Sequence, residues 1–129
     1  MRLRWLLLLL WLVAVLFNSS VAPAPLPAPG FLSMLIFEAI HAVEYGLIAW
    51  FAWRAVAEPA GGVGLPSRLS AATIVVVGFV FAGLDELRQF FVAGGSASAW
   101  QILLDGGALS LVVALRTRQT AGEGQTNPR

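Results

Sequence analysis

The sequence predicts an all-α integral membrane protein with four transmembrane helices and with both its N- and C-termini in the cytoplasm. Of its 129 residues, 58% are hydrophobic and only 12% are charged, and the mean hydropathy is +0.80. A soluble domain of this length could not bury so much apolar surface. The absence of cysteine excludes disulfides and thiol chemistry, and a net charge of +1 does not favour a nucleic-acid partner.

The first predicted transmembrane helix covers residues 1–22, with a leucine-rich run from Leu3 to Phe17. A basic start before an apolar run is also typical of a signal peptide, so this helix could act as a signal anchor. Pro23 and Pro25 directly follow the small residues at which cleavage would occur, which favours an uncleaved helix. Because about 20 residues cross the hydrocarbon, this helix spans it only if residues 18–21 lie in the interface.

Proline and glycine segments divide the rest of the chain. Residues 23–30 alternate proline with other residues, which predicts an extended outer loop. Later breaker segments delimit three further spans. The predicted spans are residues 31–56, 70–91 and 99–115. Residues 31–116 then form a three-helix core, and residues 117–129 are predicted to be a disordered cytoplasmic tail.

Arginine placement predicts the orientation of the helices. Seven of the eight arginines flank the same ends of the predicted spans. They are Arg2, Arg4, Arg54, Arg68, Arg116, Arg118 and Arg129. The loops 18–30 and 92–98 carry no charge. Because cytoplasmic loops are enriched in basic residues, both termini and the middle loop are placed in the cytoplasm.

Polar side chains fall at a similar depth in three of the predicted spans, in the outer half of the membrane. In the second span they lie within about a third of the helix circumference, so they share one face. They are Glu38, His41, Glu44 and Tyr45 in the second span, Asp85, Glu86, Arg88 and Gln89 in the third, and Gln101 and Asp105 in the fourth. Three helices therefore bring acidic and amide groups toward the same side.

The charges of the third span are too costly to be incidental. At mid-bilayer Asp85, Glu86 and Arg88 would together cost about 8–10 kcal/mol, whereas the apolar residues of that span return roughly 3–7 kcal/mol. The span inserts only if these charges lie near the interface, pair with one another or face a wet cavity. Intramembrane ionisable groups are functional candidates for this reason. The alternative is that they only join helices, at about 0.6 kcal/mol per hydrogen bond on average.

Metal chemistry has weak support in the sequence. The spacing from Glu38 to His41 matches the Glu-x-x-His motif of di-iron bundles, but those bundles need two such motifs and this chain has one histidine. A single metal ion held by His41 and carboxylates stays open as an alternative. No metal ion and no cofactor are expected. His41 is suited instead to carrying a proton near neutral pH while a carboxylate orients it.

Two segments together resemble the VanZ-like family of small bacterial membrane proteins, which takes its name from a teicoplanin-resistance protein. The family's His-x-x-x-Tyr element is His41-Ala-Val-Glu44-Tyr45 here, and its Asp-Glu-x-x-Gln element is Asp85-Glu86-Leu-Arg-Gln89. The resemblance covers roughly residues 31–115.

This sequence departs from the family's pattern at three places. The Asp-Lys pair before the histidine is Phe37-Glu38, the turn arginine is Gly95, and the first aspartate of the last helix is Gln101. If the family's chemistry uses that lysine or arginine to hold an anionic group, this chain lacks the residue that would do so.

The resemblance implies a multi-pass protein of the bacterial cytoplasmic (inner) membrane that acts in the cell envelope. For some members it implies reduced sensitivity to lipid-interacting glycopeptides. The leading hypothesis is a protein that binds or modifies a membrane lipid, or a lipid-linked envelope precursor, in an outward-facing polar cluster. His41, Asp85 and Glu86 are its candidate catalytic residues. The candidate binding residues are Glu38, Glu44, Tyr45, Arg88, Gln89, Gln101 and Asp105.

Whether the protein is an enzyme stays open at this point. The main alternative is a non-enzymatic structural or accessory membrane protein whose polar cluster only fixes the packing of its helices. A proton-coupled transporter has less support, because the chain has no inverted-repeat pattern and no Gly/Pro-broken helix at the midplane. A homo-oligomer would supply more helices for that function.

Overall fold

The computed structural model describes residues 2–20, 30–57, 67–92 and 98–125. These residues form four α-helices and no strand. The helices are α1 (Arg2–Asn18), α2 (Phe31–Val56), α3 (Ser67–Val92) and α4 (Ala99–Gln125). The all-α class is confirmed. The predicted proline-rich loop lies, apart from Gly30, outside the described residues.

The helix bounds agree with the sequence prediction except at α3 and α4. α3 begins at Ser67 rather than Ser70, and α4 continues well beyond Leu115, to Gln125. The prediction of a disordered tail from residue 117 is therefore wrong as far as Gln125. The hydroxyl groups of Thr117 and Thr120 donate to carbonyl oxygens of the preceding turn. Residues 116–125 contain no proline, so every backbone N–H of this polar stretch can donate within the helix.

Two contacts show that α1 and α2 are antiparallel. Near the start of α1, Nη1 of Arg4 donates to the carbonyl oxygen of Arg54 at 3.2 Å. At the end of α1, Nδ2 of Asn18 donates to Oε1 of Glu44 at 2.7 Å. The shorter α1 therefore lies beside the second half of α2, and the first turns of α2 extend past the end of α1.

The most extensive helix contact is between α2 and α4, which run parallel. Near the start of both helices, Nε1 of Trp100 donates to Oε1 of Glu38 at 3.1 Å. Further along, the guanidinium of Arg116 lies 4.4 Å from the centre of the Trp50 ring. With α3 antiparallel to α4, the helices form an up-down-up-down bundle.

The bundle is apolar outside and holds ionisable groups inside. Many large hydrophobic side chains are exposed on all four helices. Examples are Leu9, Val13, Ile40, Val43, Val76, Leu84, Leu103 and Leu111. His41, Asp85, Glu86 and Asp105 are each at most 4% exposed. A soluble bundle shows the reverse distribution, because its helices bury their apolar faces and expose their charges.

Three helices are long and apolar enough to cross a membrane, namely α2, α3 and the Ala99–Gly122 part of α4. The apolar part of α1, Leu3–Asn18, is shorter. Three helices of membrane-spanning length and composition are therefore present, and the fourth span and the orientation stay predictions.

Two glycines allow α3 and α4 to approach closely. A Cβ atom at Gly78 would overlap the side chain of Leu109, and one at Gly106 would overlap the ring of Phe79. Small residues at helix interfaces permit this kind of backbone approach in membrane bundles.

We expect Gly106→Ala to lower the thermal stability in detergent, since the Phe79 ring must leave its position. Overpacking of this kind costs about 1–3 kcal/mol. The matched control is Gly107→Ala, because a Cβ atom at Gly107 meets nothing within 4 Å. Thermal unfolding of both variants, followed by circular dichroism, measures the difference. Equal melting temperatures for the two variants would contradict the close approach of α3 and α4.

Candidate functional site

The predicted site residues lie toward one end of the bundle. We call this the polar end; there α1 and α3 end and α2 and α4 begin. Five acidic residues lie toward this end. They are Glu38, Glu44, Asp85, Glu86 and Asp105. Their contacts divide them into groups that have different chemistry.

Asp85 lies at the centre of a satisfied hydrogen-bond network. Its side chain is 2% exposed, and Oδ1 accepts from Nη2 of Arg88 at 2.9 Å and from Oγ of Ser19 at 2.9 Å. Oδ2 accepts from Nε2 of Gln89 at 3.2 Å. The guanidinium of Arg88 also donates to the hydroxyl oxygens of Ser19 and Ser20. Because both carboxylate oxygens have partners, the burial of Asp85 is compensated within the protein.

Ser19 and Ser20 were not among the predicted site residues. They follow the last residue of α1 and join it to α3 through Asp85 and Arg88. The available signal was the run Asn18-Ser19-Ser20, three hydrogen-bonding side chains at the end of an otherwise apolar segment. Its partners could not be identified without knowing which helix packs beside α1.

Glu86 caps a neighbouring helix. Its side chain is buried, and Oε1 accepts a hydrogen bond from the backbone N–H of Ser98. The carbonyl oxygen of Ser98 in turn accepts from the N–H of Ile102, which places Ser98 at the N-cap of α4. In a capping box, an acidic side chain accepts a hydrogen bond from the N-cap N–H of its own helix. Glu86 accepts the same hydrogen bond from the N-cap of α4, although it belongs to α3. Glu86 was predicted to be catalytic, but its hydrogen bond to Ser98 is a structural contact that holds the start of α4.

Glu38 and Gln101 lie at the edge of the site. Glu38 is half-buried and accepts from the Trp100 indole. Gln101 is also half-buried, and within the described ranges it makes no hydrogen bond to another candidate residue. These two residues are therefore not joined to the interior groups.

Four side chains from α2 and α4 form a second group, which we call the open cluster: His41, Glu44, Tyr45 and Asp105. Each has a buried polar atom with no hydrogen-bond partner among the described residues. These atoms are Nδ1 of His41, Oε2 of Glu44, the hydroxyl oxygen of Tyr45 and Oδ1 of Asp105. A buried polar group left unpaired costs about 1–3 kcal/mol, so native proteins rarely leave several together without water or a ligand.

His41 and Asp105 come close to each other without forming a hydrogen bond. Nδ1 of His41 lies 3.5 Å from Oδ2 of Asp105, beyond the usual range for an N–H···O bond. The ring of Phe37 packs against His41, with 4.6 Å between ring centres. Tyr45 is fully buried, and its ring centre lies 6.1 Å from that of Phe81. Aromatic rings thus flank the polar atoms of the open cluster.

Electrostatic interactions join the members of the open cluster. His41 interacts with the charges of Asp105, Glu44 and Asp85. Tyr45 interacts with those three carboxylates and with Glu86. Arg88 is the only arginine at the polar end among the described side chains, and it is paired with Asp85. The open cluster therefore carries two carboxylates with no arginine of their own.

An apolar groove of about 460 Å³ runs between α1 and α2 and reaches the open cluster at Glu44. Glu44 is the only ionisable residue of its lining. The other lining residues are Trp11, Ile36, Ala39, Ile40 and Val43. On the α1 side the indole of Trp11 is fixed, because Nε1 donates to the carbonyl oxygen of Glu44 at 3.0 Å.

The predicted catalytic residues do not make one contact group. His41 approaches Asp105, whereas Asp85 is held by Arg88 and Glu86 by the start of α4. A histidine beside a carboxylate can accept or donate a proton if a substrate comes within reach. The described residues contain no group of three or more His, Asp and Glu side chains arranged to hold a metal ion.

The fold and the site together define a helical protein with membrane-length apolar helices and a buried, net acidic polar cluster. Comparison with protein-family models, with curated proteins and with solved structures gives no match.

The Asp85 network predicts a loss of stability for Asp85→Asn. This change removes the charge that Arg88 faces, and we expect the unfolding free energy in detergent to fall by about 1–3 kcal/mol. A double-mutant cycle with Arg88→Gln measures the coupling between the two side chains. If the two changes were simply additive, the ion pair within α3 would not contribute to the stability of this network.

Proposed function

We propose that this protein binds the polar head group of a membrane lipid, or of a lipid-linked envelope precursor, in the open cluster. The observation that carries the proposal is the set of buried, unpartnered atoms of His41, Glu44, Tyr45 and Asp105. In water such groups would be hydrated, but inside an apolar bundle they need a polar partner. The apolar groove beside Glu44 gives an acyl or polyprenyl chain a place to lie.

The proposal includes four spans, with both termini in the cytoplasm of a bacterium and the polar end facing outward across the inner membrane. Arginines at the opposite end of the bundle support this orientation through the positive-inside rule. Those whose side chains are described are Arg4, Arg54, Arg68, Arg116 and Arg118. α1 has 17 residues, which gives about 25 Å, so Ser19 and Ser20 would lie within the outer boundary of the hydrocarbon.

A modifying activity would depend on His41 and Asp105. His41 would move a proton and Asp105 would orient the imidazole ring, since these are the only imidazole and carboxylate in contact within the described residues. The resemblance to the VanZ-like family supports a role in the cell envelope. A changed sensitivity to lipid-interacting glycopeptides is the cellular effect that this resemblance implies.

A structural role is the second candidate, and a different set of residues favours it. Asp85, Arg88, Gln89 and Glu86 have partners in the protein, and their contacts join α1, α3 and α4. This is what polar groups do when they only fix helix packing. We therefore propose that these residues fix the packing of the helices and that the open cluster binds the ligand.

Native mass spectrometry of the protein extracted with its own membrane lipids tests the binding proposal. We expect the wild type to retain a specific lipid, and we expect Tyr45→Phe with Asp105→Asn to lose it while the protein stays folded. Asp85→Asn serves as the comparison, since it should lower the thermal stability of the protein and leave the specific lipid bound. If wild type and the double variant carry the same nonspecific lipids, the structural candidate takes the place of the binding proposal.

The orientation is tested by single cysteines, because the natural chain has none. We expect Ser96→Cys to react with a membrane-impermeant maleimide in intact cells, since residue 96 belongs to the outer loop of the proposed topology. Ala121→Cys, on the far part of α4, should react only after lysis. The reverse pattern would invert the topology and place the polar end in the cytoplasm.

A further inference from the structure

We propose that the end of the bundle opposite the polar end is an interaction surface for the head groups of anionic lipids. We call it the basic end; it lies where α1 and α3 begin and where α2 ends. This surface is separate from the open cluster and from the function proposed for that cluster. Its partner is the phosphate layer of an anionic bilayer rather than one lipid held in a pocket.

Charge is distributed unevenly between the two ends of the bundle. By their position along the chain, seven of the eight arginines but only two of the seven acidic residues belong to the basic end. Those two are Glu58 and Glu123, whose side chains lie outside the described part of the chain. The polar end has the other five acidic residues and one arginine. An anionic head group is therefore attracted to the basic end and repelled from the polar end.

The arginines of the basic end have no carboxylate partner among the side chains that the structure describes. The ion pairs found there, one of histidine and one of arginine, both lie at the polar end. Arg54, Arg68 and Arg118 are exposed, and Arg4 is half-buried. Nη1 of Arg4 donates to the carbonyl oxygen of Arg54, which is a neutral group. The positive charge of these four side chains is therefore available to an anion outside the bundle.

Tryptophans place the basic end at the depth of the lipid head groups. Trp5, which follows Arg4 in α1, is 43% exposed, and Trp50, whose ring centre lies 4.4 Å from the Arg116 guanidinium, is 38% exposed. Exposed tryptophans of membrane proteins concentrate at the interface. Arg116 is about 26 Å along α4 from Ala99, close to the hydrocarbon thickness of about 30 Å. Arginines beside these rings thus lie level with lipid phosphates.

A soluble polyanion such as a nucleic acid fits this arrangement less well than a bilayer does. Residues 119–125 of α4, which extend furthest from the polar end, contain no arginine or lysine. The described positive charges instead surround the bundle near the membrane boundary, on all four helices. Juxtamembrane basic clusters of this kind are attracted to anionic lipids.

The test uses the purified full chain in nanodiscs made from equal parts of phosphatidylglycerol, which is anionic, and phosphatidylcholine, which has no net charge. Native mass spectrometry counts the lipids that the protein retains after release in 0.1 M ammonium acetate. We expect phosphatidylglycerol to be retained over phosphatidylcholine by about fivefold or more, the effect of one basic residue near an anionic surface. Because both leaflets have the same composition, the result does not depend on which end faces the cytoplasm.

Three exposed arginines connect the preference to the basic end. Arg54→Gln with Arg68→Gln and Arg118→Gln removes three charges, and we expect it to bring the retention of the two lipids close to equal. The matched control has lysine at the same three positions and should keep the preference, because attraction to a charged surface requires the charge and not the guanidinium geometry. Changes at exposed positions have little effect on folding.

If the glutamine variant fails to insert, a salt series on the wild type decides. Raising the ammonium acetate to 1 M shortens the Debye length from about 10 Å to about 3 Å. The preference for phosphatidylglycerol should then fall at least severalfold. A preference that is unchanged in 1 M salt would overturn the assignment to surface charge.

Other outcomes separate this inference from the proposed function. Equal retention of the two lipids by the wild type would overturn the basic end as a lipid surface and leave the open cluster untouched. A preference kept by the glutamine variant but lost in Tyr45→Phe with Asp105→Asn would assign the anionic lipid to the open cluster instead. Stabilisation in detergent by inorganic phosphate, equal to that by short-chain phosphatidylglycerol, would keep the anion chemistry but overturn the bilayer as its source.

Discussion

A carboxylate inside an apolar bundle has to find its partners within the protein, and this constraint organises the polar end. Asp85 meets it fully, because Arg88, Gln89 and Ser19 together supply donors to both of its oxygens. The same bonds hold the end of α1 against α3. Glu86 meets the constraint through the backbone of Ser98 and thereby holds α4 against α3. Groups that would be costly in hydrocarbon thus fix three helices relative to one another.

The open cluster has no such set of partners among the described residues, which is how it differs from the network around Asp85. Both groups are buried to a similar degree, so burial alone does not distinguish them. The satisfied network gains its stability whenever the bundle forms. Glu44, Tyr45 and Asp105 instead each have an oxygen with no hydrogen-bond partner among the described residues, and such an oxygen costs about 1–3 kcal/mol unless water or a ligand pairs with it. A ligand that binds only the folded protein would offset this cost by mass action.

Helix bounds were predictable where local chemistry decides them. Prolines and glycines between the apolar runs gave α2 its limits of Phe31–Val56, and the shared face of His41 and Tyr45 followed from helical periodicity. Partner choice was not predictable, because it depends on helix length and on which helices are neighbours. Asp105 rather than Asp85 approaches His41 since α2 packs most extensively, and in parallel, against α4. The extension of α4 was missed because polar composition was taken as disorder.

The geometry also limits what chemistry the site can perform. Since Asp85 and Glu86 are held by structural contacts, proton transfer falls to His41 with Asp105 as its neighbour. Their 3.5 Å separation is too long for a hydrogen bond, so a catalytic pair would require the two side chains to move closer together. Binding therefore follows more directly from this arrangement than catalysis does.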